Sequence, residues 1–284
     1  MASQAQMREI GVMDRTTDIG RRALVAGLAG AGVSACTLSA RPKDWAAHNV
    51  GSAVAVDHRA WELFLGRHTV EGADGITRVG YATVPYTDRE LLDGYLKALA
   101  STDTARLDRS EQLAFWINLH NALVVRLVLD HVIVSSPDQI DLGLFSSGPS
   151  EATLLRIGGR PISLNGIKRQ ALRPVFKDPR WHYALCDGSL GGPSLRRTPY
   201  TGVDIDRALQ DSAIGYVSSP RAVTLQGEAQ VLNALWRRNI TDFGGTLAGV
   251  LAEIQLYADT DIRQALSVSR ETRWQDDRRL NELR

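Results

Sequence analysis

The apolar positions of the chain fall into blocks of differing period. The longest block runs from Ser110 to about His131 and includes Leu113, Phe115, Trp116, Ile117, Leu119, Leu123, Val124, Val125, Leu127 and Val128. Apolar residues occupy nearly every side of such a helix, so the pattern predicts a central, buried element at about 111–131. Shorter blocks of helical spacing lie at 57–66 behind Asp57, at 89–100 behind Asp88, at 204–217 and at 246–257. The two aspartates have the side chain an N-cap needs. Hairpins are expected at 154–164 around Gly158-Gly159 and at 221–231 around Gln226-Gly227. Ser163 or Asn165 then caps a helix reaching about Leu172. Helices and hairpins do not alternate as a regular βαβ series. The predicted fold class is therefore α+β, with one domain over 57–284 and several helices around the central one.

One stretch interrupts this pattern and carries most of the reactive side chains. Trp181 to Arg196 reads W-H-Y-A-L-C-D-G-S-L-G-G-P-S-L-R. Its apolar start suggests a short strand entering a glycine-lined turn. As a strand it would place His182, Ala184 and Cys186 on one face. His182, Cys186 and Asp187 are accordingly the candidate catalytic residues, since a thiol needs a nearby base to form a thiolate. The alternative for Cys186 is a small buried apolar residue. The turn from Gly188 to Pro193 could offer backbone N–H groups to an anion. Ser189 and Arg196 are candidate binding residues beside it.

Asn118 and Asn121, three residues apart, share one stripe of the central helix, while His120 points about 160° away at 100° per residue. The two asparagines either tie neighbouring loops to the helix or bind a ligand. The two distant cysteines, Cys36 and Cys186, and the dispersed His68, His120, His131 and His182 do not give the close-spaced ligand pairs of a zinc site, so neither a metal nor a cofactor is implied.

Composition adds an address. Arg21-Arg22 precede a 13-residue run of small and apolar residues, Ala23 to Ala35, which is too short to span a bilayer. Basic start, short apolar middle and small-residue end describe an export signal, and the twin arginine suggests the route for folded proteins. The run ends Val33-Ser34-Ala35-Cys36, which resembles the lipobox of bacterial lipoproteins. That resemblance implies lipidation of Cys36 and loss of residues 1–35, with Met1 and Met13 as alternative starts. Residues 37–56 read as a tether. The expected location is the periplasmic side of the bacterial cell envelope, with the membrane as partner through the lipid. A formal net charge of +1 argues against a nucleic-acid binder.

Several segments together resemble the domain of unknown function 547 family. Ala114 to Leu123 is similar to its F-W-I-N-x-Y-N-A-L helix. Ser163-Leu164, Ile167 and Leu172-Arg173-Pro174 resemble its S-L-x-x-I-E-H-x-x-L-R segment. His182 to Leu185, Ser189, Pro193 and Leu195 fit its H-F-A-L-x-C-x-S-x-x-C-P-P-L segment. Trp236, Asp242 to Gly245, Tyr257-Ala258, Trp274 and Leu280-Asn281 resemble its closing segments. The resemblance brings no settled activity. This chain also departs from the pattern where chemistry would sit. Lys168-Arg169 replaces Glu-His, Asp187 and Gly192 fall on the two cysteines, His120 falls on the tyrosine, and Cys186 stands one residue early. The expectation is a binding or scaffolding module with a diverged site. The alternative is a cysteine- or histidine-dependent hydrolase or acyl-transfer enzyme.

Overall fold

A computed structural model describes residues 45–131, 134–142, 148–268 and 271–283. Arg21-Arg22, Cys36 and the first part of the tether lie outside the described residues.

The first helix, α1 (Arg59–His68), starts one residue later than its expected cap. Asp57 instead accepts the Arg59 N–H at 3.0 Å. A small antiparallel hairpin follows, β1 (Thr69–Glu71) with β2 (Thr77–Val79). Helix α2 (Tyr86–Ser101) begins right after Pro85, whose fixed φ suits the entry to a helix. Asp88 is therefore inside the first turn and does not cap it. Its carboxylate binds the end of α1 instead, with His68 Nε2 at 2.7 Å and Arg67 Nη1 at 2.9 Å.

The long apolar block forms α3 (Arg109–Leu129), capped by Asp108 through the Ser110 N–H. It is long and apolar enough to cross a membrane, yet 94% of its apolar window is buried inside the protein, which makes it a core helix. Trp61, Phe64, Phe115, Trp116, Trp181 and Tyr200 belong to the cluster that encloses it. Each large apolar side chain removed from water contributes roughly 1.5–3 kcal/mol, so α3 is the main apolar support of the fold.

The expected hairpin forms as β3 (Leu155–Ile157) and β4 (Arg160–Ile162). Gly158 and Gly159 have φ of 56° and 82°, the left-handed pair a two-residue turn needs. Ser163 caps α4 (Leu164–Gly166) by accepting the Gly166 N–H. The chain then continues as a π-helical turn over Ile167–Leu172. A single helical turn, α5 (Trp181–Ala184), precedes α6 (Ile205–Val217). Strands β5 (Val223–Gln226) and β6 (Ala229–Asn233) form the second hairpin, with its turn one residue later than expected. Helices α7 (Ala234–Arg238), α8 (Leu247–Tyr257) and α9 (Thr260–Val268) follow, and β7 (Glu271–Gln275) pairs parallel to β6. A second apolar cluster, including Tyr183, Tyr216, Trp236, Phe243 and Ile254, fills the space under this sheet. The fold class is α+β, as its unalternating elements imply.

The charged C-terminal stretch turns back across the protein. Leu280 N–H donates to Ser135, Asn281 N–H to Gly188, and Leu283 N–H to Val79. This strap presses on the glycine turn and closes one side of the site described next.

Candidate functional site

Trp181–Ala184 is helical, which corrects the expected strand. The cause lies upstream, in Asp178-Pro179. Asp178 Oδ1 accepts the Arg180 N–H at 2.9 Å, Pro179 supplies a helical φ, and its carbonyl receives the His182 N–H at 3.0 Å. An apolar run of this length does not by itself choose between helix and strand. His182 and Cys186 consequently do not share a strand face. His182 lies on the helical turn, and Cys186 follows it in extended chain.

Cys186 is 1% exposed, inside the cluster around α3. Burial, with the Asp187 carboxylate adjacent, pushes its thiol up to about 12. A thiolate at neutral pH is thereby disfavoured. The backbone around it is held by Asn121, whose Oδ1 accepts the Cys186 N–H at 3.0 Å and whose Nδ2 donates to Ala184 O at 2.9 Å. Asn118 does the same for the next loop. It donates to Tyr200 O at 2.7 Å and accepts the Tyr200 N–H at 3.0 Å. Both asparagines are buried and bind loop backbone, the first of the two roles open to them.

The glycine turn does not offer an anion nest, which corrects that expectation. Its N–H groups are already used. Ser189 N–H donates to Asp187, Leu190 N–H to Arg279, Gly191 N–H to Asp277 and Gly192 N–H to the Ser189 hydroxyl. Gly188 is needed for two reasons. Its φ is 76°, and a Cβ there would come within 3.2 Å of Pro137 and 3.5 Å of Val124. Gly192 makes room for a charge, because a Cβ on it would fall 2.1 Å from Asp187 Oδ1. Positions 187 and 192, which fall on the two cysteines of the resembled pattern, therefore face each other, and the Asp187 carboxylate fills the space between them.

Asp187 is a wall of the principal cleft, a cavity of about 480 Å³ that also takes in Lys168, His182, Arg238, Asp276 and Arg278. Ser189 Oγ donates to Asp187 at 2.6 Å, and Arg278 pairs with it. Burial alone would raise the carboxyl, but Arg278 and Ser189 outweigh it and hold Asp187 below the ordinary range. Arg278 also pairs with Asp138 at 2.7 Å, and Arg238 pairs with Asp276. Lys168, on the π-helical turn, differs from these cations. It is half-buried, and its amine makes no hydrogen bond or ion pair among the described residues. Desolvation first, then the charges of Arg238 and Arg278, lower its ammonium pKa, with Asp187 opposing.

His182 borders the same cleft and stacks on Trp181 at 3.6 Å. Its Nε2 donates to Asp242 Oδ2 at 2.8 Å, and Arg173 Nε meets the same carboxylate at 2.8 Å. Burial lowers the imidazole to about 4 despite the carboxylate. The bonds from His182 and Arg173 outweigh burial at Asp242 and bring it to about 2. At neutral pH the pair is a neutral ring donating to a carboxylate.

A smaller chamber of about 40 Å³ lies against the cleft and shares Lys168, Asp187 and Arg278 with it. His120 faces this chamber and is fully buried. Its Nδ1 meets Asn121 Oδ1 at 3.4 Å, and its Nε2 has no partner. Arg196 lies apart. It lines a separate cavity of about 340 Å³ with Arg197 and Arg221, donates to Pro199 O at 3.1 Å, and faces the Tyr200 ring.

The structure thus brings together His182, Asp187 and Ser189 from the expected set, and leaves Cys186 in the core and Arg196 elsewhere. Lys168, Asp242, Arg238 and Arg278 are additions. Of these, Lys168 and Asp242 had a sequence signal, Lys168 at a position where the resembled pattern has glutamate and Asp242 within a resembled closing segment.

Residues 104–217 match the model of the protein family of unknown function DUF547. The resemblance therefore holds for the segment carrying α3, the π-helical turn and the glycine turn. It stops short of Trp236, Asp242 and Trp274, so Asp242 and Arg278 enter the site from outside the DUF547 match. No curated protein and no solved structure matches the chain.

Proposed function

We propose that this protein is a lipid-anchored binding module of the bacterial cell envelope, whose principal cleft takes a small anionic ligand. The observation that carries the reading is Lys168. Cations in a half-buried cleft are normally paired, because an uncompensated buried charge is costly. Arg238 and Arg278 obey this rule through Asp276, Asp138 and Asp187, and Lys168 does not. A carboxylate or phosphate at Lys168 supplies the missing partner. Cysteine-based acyl transfer needs an accessible thiolate, and the burial of Cys186 argues for the binding reading over it.

The test is calorimetric titration of the full-length protein with acetate, succinate and inorganic phosphate. At least one is expected to bind, and Lys168→Met is expected to weaken it roughly tenfold or more, the loss of one charge-assisted hydrogen bond of about 1.5–3 kcal/mol. Equal affinity in the variant, or no binding of any of the three, overturns the reading. The anchor has its own check. Labelled palmitate fed to a bacterium expressing the chain should enter the protein, and Cys36→Ala should abolish the incorporation.

A further inference from the structure

We propose that Lys168 is a carbonyl-capturing amine, so that the anion of the cleft is a small oxo acid held as an imine on Nζ. This rests on the binding reading and names its ligand class. Three geometric observations carry it.

The first is the backbone. Lys168 stands on the π-helical turn, where its carbonyl accepts the Arg173 N–H at 2.9 Å across five residues. Such turns re-aim side chains and occur often at functional sites. The second is the amine itself. It opens on the cleft without a partner while two fixed guanidinium groups, Arg238 and Arg278, line the same walls. Desolvation and like-charged neighbours are two devices that make a lysine nucleophilic, and both act on Lys168, with the charge of Asp187 opposing them.

The third is the chamber behind Lys168. Asn121 Oδ1 can only accept, so His120 Nδ1 carries the proton and Nε2 presents a lone pair. That lone pair is buried and unpaired at the wall of a space large enough for a water molecule. An orphaned acceptor at this position is costly for the fold and useful to a proton transfer.

The reaction balances without an oxidant or reductant. The Nζ lone pair attacks the carbonyl carbon, a C–N bond forms, and the carbonyl π pair moves to oxygen. The proton lost from Nζ passes through a chamber water to His120 Nε2 and returns to that oxygen side. The remaining Nζ proton then follows the same route to the hydroxyl, the nitrogen lone pair forms the C=N bond as the C–O bond breaks, and water departs. The sum is amine plus carbonyl giving imine plus one water.

The experiment is reductive trapping on the full-length protein with pyruvate and sodium cyanoborohydride, read by intact mass and peptide mapping. The expected product is a single adduct of one pyruvate less one oxygen, on Lys168. Its labelling should run at least tenfold faster than at Lys43, Lys97 or Lys177. His120→Leu should slow trapping at least tenfold. Mapping on the unmodified chain does not depend on the folding of any variant. Even labelling of the four lysines overturns the proposal, as does pyruvate binding without an adduct. In that second outcome, acetate binding still supports the simpler anion-binding reading. If acetate, succinate and phosphate also fail to bind, both readings fall.

Discussion

The two sides of α3 are built on opposite principles. On one side Asn118 and Asn121 each donate to and accept from loop backbone within 3.0 Å. On the other side His120 is as deeply buried and leaves Nε2 without a partner. The satisfied side fixes where the Tyr200 loop and the Ala184–Cys186 segment sit. The unsatisfied side meets the chamber that opens toward Lys168. Buried polar groups in a protein core are ordinarily paired, so the exception marks where the fold has not been optimised for stability alone. The contrast also separates scaffold from chemistry on a single element, since both stripes come from the same few residues of one helix.

The largest effect expected from breaking this contrast lies on the satisfied side. Asn121→Ala leaves Ala184 O and the Cys186 N–H buried without partners, and Asn118→Ala does the same to both backbone groups of Tyr200. Each unsatisfied buried group costs about 1–3 kcal/mol, so either variant should lose about 3 kcal/mol in urea unfolding. A loss under about 1 kcal/mol for both would mean that the loops hold their positions without α3.

Much of the scaffold could be read from local signals, and the site could not. The all-round apolar pattern of α3, its Asn stripe and the Gly158-Gly159 turn are each decided within a few residues, and they fold as expected. The run from Trp181 to Cys186 was too short to show a period. What settled it as helix was the Asp178-Pro179 start signal just before it. Lys168 reads in sequence as the replacement of a glutamate in the resembled pattern, because its neighbours in the cleft, Asp187, Arg238 and Arg278, come from distant parts of the chain. Arg278 lies in a charged tail without periodicity, and only the backbone bonds of Leu280 and Asn281 turn that tail into a strap. His182 stands five residues from Asp187 in sequence, yet the carboxylate that meets its Nε2 is the distant Asp242.

The smallest expected change in stability comes from the unsatisfied side, and its pH dependence sharpens the comparison most. Replacing both a buried polar group and its demands by an apolar group of similar size can be neutral or stabilising, so His120→Leu should change unfolding free energy at pH 7 by no more than about 1 kcal/mol. Burial first, and the charge of Lys168 second, lower the His120 pKa to about 3 from an ordinary 6.5. The unfolded chain therefore takes up a proton near pH 6.5 while the native ring stays neutral. Stability rises with pH wherever the unfolded state binds more protons, so it is lost as pH falls from 6.5 toward about 3. His182, lowered to about 4, adds a loss of the same sign between 6.5 and 4. His120→Leu should remove its own share and leave that of His182, so the variant, equal to the parent at pH 7, becomes the more stable of the two at pH 5. Parallel stability curves for parent and variant between pH 7 and 5 would show that His120 is protonated in the folded protein. The chamber would then hold a cation in place of a free base.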